Sequence, residues 1–297
     1  MKLDTPIFEG AAVAIVTPFD PYGNVNYPKY AELIEEQIAA GTDAIVAVGT
    51  TGEGAALDFV EHVHAVEFAV KQVAGRVPVI AGCGSNDTAF AVKISNACEH
   101  VGIDAILSVT PYYNKTSQAG LIRHYQYIAD RVSHPIILYN VPSRTGVNIQ
   151  PETYAELSKH KRICAVKEAN GDIAALAKTI SLCGDRLDFY SGNDDQITAF
   201  CALGGKGVIS VLSNVCPNVA HDIARKAIDG DVKASADLQI QYMDLISALF
   251  MDVNPIPVKE AMNLMGKEVG DCRMPLAPLS DDNHAKLETI LKNYELI

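Results

Sequence analysis

Eight times along the chain's 297 residues, a short apolar run gives way to a stretch of helical periodicity. The runs occupy residues 11–16, 43–49, 77–82, 104–109, 135–139, 163–167, 187–190 and 207–211. Runs this short and this continuously apolar suit strands buried on both faces, the situation in parallel sheets covered by helices. Eight such units in series predict an α/β fold, a (β/α)8 TIM barrel, over residues 1–231. The rival is a doubly wound sheet with a dinucleotide-binding half. Its glycine fingerprint is missing: Gly82-Cys83-Gly84-Ser85-Asn86-Asp87 supplies two of the three glycines and an acid where the third belongs.

Helix boundaries support the same alternation. Asn26 precedes a helix carrying Leu33, Ile34 and Ile38, with Gly41 as its stop. Asp58 and Glu61 have capping-box spacing ahead of Val63, Val66, Val70 and Val73, with Gly75 as the terminator. Asp172 caps a pattern of Ile173, Leu176 and Ile180, and Asp194-Asp195 is read as opening the helix after the seventh strand. Beyond residue 231 the strand signals stop. Leu238, Met243, Ile246 and Leu249 recur at helical spacing, and residues 258–266 and 286–296 read as further helices. Residues 232–297 are therefore expected to form a helical appendage with no catalytic constellation of its own.

A formal charge of −12 offers no basic field for nucleic acid or an anionic membrane. The seven cysteines are scattered and never spaced Cys-x-x-Cys, which predicts reduced thiols, no zinc knuckle and a cytoplasmic setting. Residues 1–10 contain two acids and no long apolar run, so no leader is expected there.

In a barrel of this kind the chemistry gathers on the loops that follow the strands. Those positions hold Gly49-Thr50-Thr51-Gly52-Glu53, Pro111-Tyr112-Tyr113-Asn114, Tyr139 to Gly146 including Arg144, then Lys167, then Ser191-Gly192-Asn193-Asp194. One lysine, several phenols and hydroxyls and one arginine share a rim, with no histidine and no pair of strand-end carboxylates counted among them. A lysine ending a buried strand is costly to keep charged, and the neutral amine is the nucleophile. The inventory suits a Schiff-base lysine and not metal-dependent aldol chemistry, which wants His and carboxylate ligands. His62 and His64, two apart on a helix, face different directions and cannot easily share a metal. Taken singly, Tyr139 could fill the barrel mouth, Thr50-Thr51 could make a tight turn and Arg144 could form a surface ion pair; their shared rim favours function.

Several motifs in one order carry a resemblance: Gly49-Thr50-Thr51-Gly52-Glu53, residues 109–114 (VTPYYN), residues 138–146 (LYNVPSRTG), Val166-Lys167-Glu168-Ala169, and residues 254–259 (NPIPVK). Over nearly its whole length the chain resembles the dihydrodipicolinate (4-hydroxy-tetrahydrodipicolinate) synthase family of pyruvate-dependent class I aldolases. The resemblance implies a lyase that condenses pyruvate with L-aspartate 4-semialdehyde, in diaminopimelate and lysine biosynthesis, with no metal or organic cofactor. It implies that Lys167 forms the imine with pyruvate and that Thr50, Tyr139 and Tyr113 relay protons. Tyr113 would reach into a neighbouring subunit's site. A homo-oligomer is implied, at least a dimer and by family habit a tetramer, a dimer of dimers. Thr51 matches the position holding the pyruvate carboxylate, Arg144 the one receiving the semialdehyde carboxylate, and Gly192 and Ile209 positions whose backbone lines the site. Two alternatives stand beside this: another pyruvate aldolase, such as an N-acetylneuraminate or keto-sugar-acid lyase, and an inactive barrel serving as a binding protein. Arg144 speaks against the first and the intact Lys167, Tyr139, Thr50 and Tyr113 set against the second.

In lysine-inhibited family members, His62, Asn86 and Tyr112 match positions lining the inhibitor site. Phe59 and Phe90 depart from the histidine and glutamate found there, which implies weak or no feedback by lysine.

Overall fold

The computed structural model describes residues 5–297; residues 1–4, the start of the segment read for a leader, lie outside the described residues. Eight parallel strands close into a barrel in chain order. They are β1 Gly10–Ala14, β2 Ala44–Ala47, β3 Val79–Gly82, β4 Ala105–Val109, β5 Ile136–Asn140, β6 Ile163–Glu168, β7 Asp188–Ser191 and β8 Gly207–Ser210. The expected (β/α)8 fold is the one observed. At the closing seam Gly10 pairs with Gly207, and a Cβ on Gly207 would lie 1.9 Å from the Gly10 carbonyl oxygen. Both residues have positive φ, so the seam requires glycine.

Helices follow the strands: α1 Tyr27–Ala39, α2 Phe59–Val73, α3 Thr88–His100, α4 Gln118–Ala129, α5 Pro142–Thr145, α6 Pro151–Leu157, α7 Ile173–Cys183, α8 Ile197–Ala202 and α9 Pro217–Ile228. Asn26, Asp58 and Asp172 cap their helices as expected, and the Asp58–Glu61 capping box is complete. α2 ends one residue early, on Ala74 in the left-handed region at φ 51°. The carboxy-terminal segment forms α10 Val232–Gln241, α11 Met243–Ala248, α12 Ile256–Leu264 and α13 Asp281–Asn293. The period read through Leu238 to Leu249 thus spans two helices that meet at Tyr242. α13 starts ahead of residue 286 because Ser280 accepts the Asn283 N–H as its cap. Among the described residues, no helix is long and apolar enough to cross a membrane.

Strand alternation builds two apolar layers. Ala12, Ala14, Ala44, Val46, Ile80, Leu107, Ile137, Tyr139, Ala165, Tyr190 and Ile209 fill the barrel interior. Their neighbours Val13, Ile45, Ala81, Ile106, Leu138, Val166, Phe189 and Val208 face the helices. One strand breaks the rhythm. Ile163 packs with the outer layer, so Ala165, two residues on, should join it, yet Ala165 lies inside. The pairing with β5 steps from Ile136↔Ile163 to Ile137↔Ala165, leaving Cys164 as an extra residue in a bulge. Past that bulge Lys167 shares the inward phase of Ala165, and Glu168 points out towards the helices.

Candidate active site

Lys167 is 6% exposed, and its Nζ lies 4.4 Å from the centroid of the Tyr139 ring, its cross-strand partner on β5. Burial pulls its pKa from 10.5 to about 8; the nearby Arg144 cation adds to the fall and the Asp194 carboxylate opposes it. The Tyr139 phenol hydrogen-bonds the Thr50 side chain, and burial raises its pKa despite that bond and Arg144. Across the floor, a Cβ added to Gly192 would sit 3.2 Å from the Lys167 Cε, so the glycine leaves the lysine its room. Ile209, 1% exposed, lines the interior on β8.

Thr51 is buried and accepts a 3.0 Å hydrogen bond from the Asn254 amide, while Arg144 Nη2 donates to the Asn254 carbonyl at 2.8 Å. Thr51 and Arg144 are therefore held by one residue of the carboxy-terminal segment. Lys259 of α12 reaches the same rim, 2.9 Å from Glu53 Oε1. The carboxy-terminal segment thus supplies two groups, Asn254 and Lys259, that fix the loop after β2. Their signal is the 254–259 motif, which sequence spacing alone cannot attach to Thr51 or Glu53.

Tyr113 does not join its own chain's cluster. It is 91% exposed with φ 67°, beside the half-exposed Tyr112. His62 is buried on α2, its Nε2 2.8 Å from the Gly82 carbonyl, and burial lowers its pKa. His64 Nδ1 lies 2.9 Å from the Tyr27 hydroxyl, so the two histidines do face apart. The Asn86 carbonyl accepts from Asn114. Among the described residues, no group of three His, Cys, Asp or Glu side chains converges as a metal site.

Two acids near the strand ends are buried and held by long-range or cross-strand partners. Asp194 does open the helical turn that leads into α8, but it is buried there, 2% exposed, and its Oδ2 also accepts the Val211 and Leu212 N–H groups at 2.9 Å each. That oxygen therefore ties the loop after β8 to the start of the helical segment after β7. Glu168, absent from the set of strand-end candidates, is buried, and burial pushes its pKa up to about 7 against four hydrogen bonds that pull it down. Glu168 thus lies behind the barrel wall and Asp194 under the β8 loop. Strand alternation after Lys167 is the signal that marks Glu168 as buried outward.

A buried amine whose pKa is drawn down to about 8, with a phenol and a hydroxyl linked beside it, gives up its proton more readily than a free lysine and is equipped to attack a carbonyl and move protons around the adduct. The dihydrodipicolinate synthetase family model matches residues 7–294. The chain belongs to the dihydrodipicolinate synthetase family. It is 51% identical over 292 residues to the 4-hydroxy-tetrahydrodipicolinate synthase of Acetivibrio thermocellus, covering 98% of this chain and 99% of that one. Its fold is similar to that of dihydrodipicolinate synthase from Aquifex aeolicus, with a TM-score of 0.95 at 41% identity over 97% and 99% of the two chains. A structure of the enzyme from Cyanidioschyzon merolae with lysine bound has a TM-score of 0.95 at 34% identity, over 99% of this chain and 100% of that one.

Proposed function

We propose that the chain condenses pyruvate with L-aspartate 4-semialdehyde, the 4-hydroxy-tetrahydrodipicolinate synthase reaction of diaminopimelate and lysine biosynthesis. The observation carrying this is the buried Lys167 amine, its pKa drawn to about 8, lying over Tyr139 with Thr50 on the phenol. Lys167 Nζ attacks C2 of pyruvate, and the carbinolamine loses water as Tyr139 and Thr50 pass protons. Loss of a C3 proton from the iminium gives an enamine, whose C3 adds to the aldehyde. The substrate's own amine then attacks the imine carbon, closing the ring and releasing Lys167. The covalent catalyst is the chain's own amine, so the scheme calls for no metal or organic cofactor. Arg144, a planar guanidinium, suits the semialdehyde carboxylate, and Thr51 the carboxylate of pyruvate.

Tyr113 completes the relay from a second copy, which makes the active form at least a dimer; a tetramer is the expected state. The exposure of Tyr112 and Tyr113 on one loop supports this reading. All seven cysteines are free and six are buried, in keeping with a reducing cytoplasm. Borohydride reduction with pyruvate, followed by peptide mass spectrometry, is expected to place the adduct on Lys167. Turnover with L-aspartate 4-semialdehyde but not with N-acetylneuraminate or keto-sugar acids then separates the synthase from its relatives. An unmodified Lys167 would sink the proposal.

Feedback by lysine is expected to be weak or absent. The Phe59 and Phe90 rings meet edge-on at 6.2 Å, and Lys93 Nζ lies 4.4 Å over Phe59. A cation thus already occupies the aromatic face, and no glutamate waits for an incoming ammonium. Initial rates should stay above half their uninhibited value in millimolar L-lysine; half-inhibition below that range contradicts the prediction.

A further inference from the structure

Lys167 faces the barrel only because Cys164 shifts the phase of β6, and the residues past the bulge must hold that phase. A strand slipped by one residue presents its whole side-chain set to the opposite face, which would turn Lys167 outward and Glu168 in. Four register pairs separate the bulge from the strand end: Ile137↔Ala165, Leu138↔Val166, Tyr139↔Lys167 and Asn140↔Glu168. The first two are apolar and fit either register. The third is the reacting pair. The last pair is polar, buried and bonded across the strands: Asn140 Nδ2 donates to Glu168 Oε1 at 2.9 Å.

Each partner is held from behind. The Asn140 amide also donates to Asn148 Oδ1 at 2.7 Å, and its Oδ1 accepts the Ile149 N–H at 3.1 Å. Glu168 takes the Asn170 N–H on Oε1 at 3.0 Å and the Tyr154 hydroxyl on Oε2 at 2.7 Å. The backbone extends the tie: Ala169 N–H donates to the Asn140 carbonyl at 2.9 Å, and Gly192 N–H to the Glu168 carbonyl at 2.7 Å. Gly192 is the residue against which the Lys167 methylenes pack. A fully satisfied buried network of this kind tolerates one arrangement, whereas an apolar pair would accept several.

We propose that Asn140 and Glu168 form a register clamp, a cross-strand hydrogen bond that keeps Tyr139 and Lys167 aimed together into the barrel, and that both are positioning residues for the imine step. The inference rests on the Schiff-base reading of Lys167. Glu168→Ala removes the clamp, and Asn140→Ala breaks the same link while leaving Glu168 its Tyr154 and Asn170 partners. Glu168→Gln keeps it: Oε1 still accepts from Asn140 and Asn170, and the new amide can donate to the Tyr154 hydroxyl.

The test measures the rate of borohydride-trapped pyruvate adduct on Lys167 against pyruvate concentration, with folding checked by circular dichroism and melting. Misplacing a reacting group by an ångström lowers rates on the order of 10²-fold, so both alanine variants should lose about that much at saturating pyruvate, with half-saturation moved less than about threefold. Glu168→Gln should regain most of the rate. Should Glu168→Ala fail to fold, Asn140→Ala decides the matter. A folded alanine variant that forms the adduct at the wild-type rate overturns the clamp, as does a Glu168→Gln protein as slow as Glu168→Ala. Absence of any adduct in the wild-type protein is a different failure: it removes the imine reading, and the clamp with it.

Discussion

Lys167→Met is expected to lose imine formation and turnover on the order of 10⁵-fold, the scale of effective molarity that an oriented internal nucleophile supplies, and yet to melt above the wild-type protein. The gain in stability comes from proton linkage. The folded pKa is about 8 against 10.5 for the free side chain, because burial disfavours the charged form. Below pH 8 both states carry the proton, and the fold bears the whole desolvation penalty. Between pH 8 and 10.5 only the unfolded chain remains protonated, so native stability rises with pH across that window; above it the lysine contributes nothing. At neutral pH the penalty is up to about 3 kcal/mol, which methionine, of similar length and uncharged, escapes. The variant's advantage should shrink as pH rises past 8. Adduct formation by the wild-type enzyme should climb over the same range, half-complete near pH 8 and not near 10.5. A melting temperature at or below wild type at pH 7 contradicts the assignment of Lys167 as a buried amine held at a desolvation cost.

That amine can be found from the sequence, but its direction cannot. Residues 163–167 are apolar up to the lysine, and an unbroken apolar run carries no alternation from which to tell inside from outside. The bulge at Cys164 sets the phase, and nothing about that cysteine announces it. Barrel order is legible because eight apolar runs alternate with capped helices, and Asp58, Asn26 and Asp172 behave as their spacing predicts. Asp194 shows the limit of such reasoning. Its place at the start of a helical segment is legible, but the Val211 and Leu212 N–H groups that its Oδ2 also accepts come from the next strand's loop. Long-range polar partners of this sort, like Asn254 on Thr51, leave no periodic trace in a single sequence. The groups that react are readable from the strand ends; the groups that hold them are not.

One such holding group carries the other large effect. Lys259→Met should destabilise the protein by roughly 3–5 kcal/mol, because it strips the partner from a buried carboxylate. Lys259 is 1% exposed and Glu53 4%. The ammonium contacts Glu53 Oε1 at 2.9 Å, the Asp271 carbonyl at 2.8 Å and the Thr17 carbonyl at 3.2 Å. Burial keeps the lysine's pKa below its usual value even with Glu53 pulling it up, so desolvation offsets much of the pair's attraction. Breaking the pair is therefore far worse than never having made it. With Lys259 gone, Glu53 Oε2 keeps the Arg273 N–H at 2.8 Å, but Oε1 and the Thr17 and Asp271 carbonyls all lose the ammonium. Glu53 sits at φ 54° two residues after Thr51, so its loosening frees the loop that presents Thr50 to Tyr139. Turnover measured well below the melting point should fall as well. The double variant Glu53→Gln with Lys259→Met removes both charges and should recover a large part of the lost stability, a coupling that denaturant melts of the four proteins would resolve. If Lys259→Met melts like the wild type, or if the double variant shows strictly additive losses, the pair does not hold the loop.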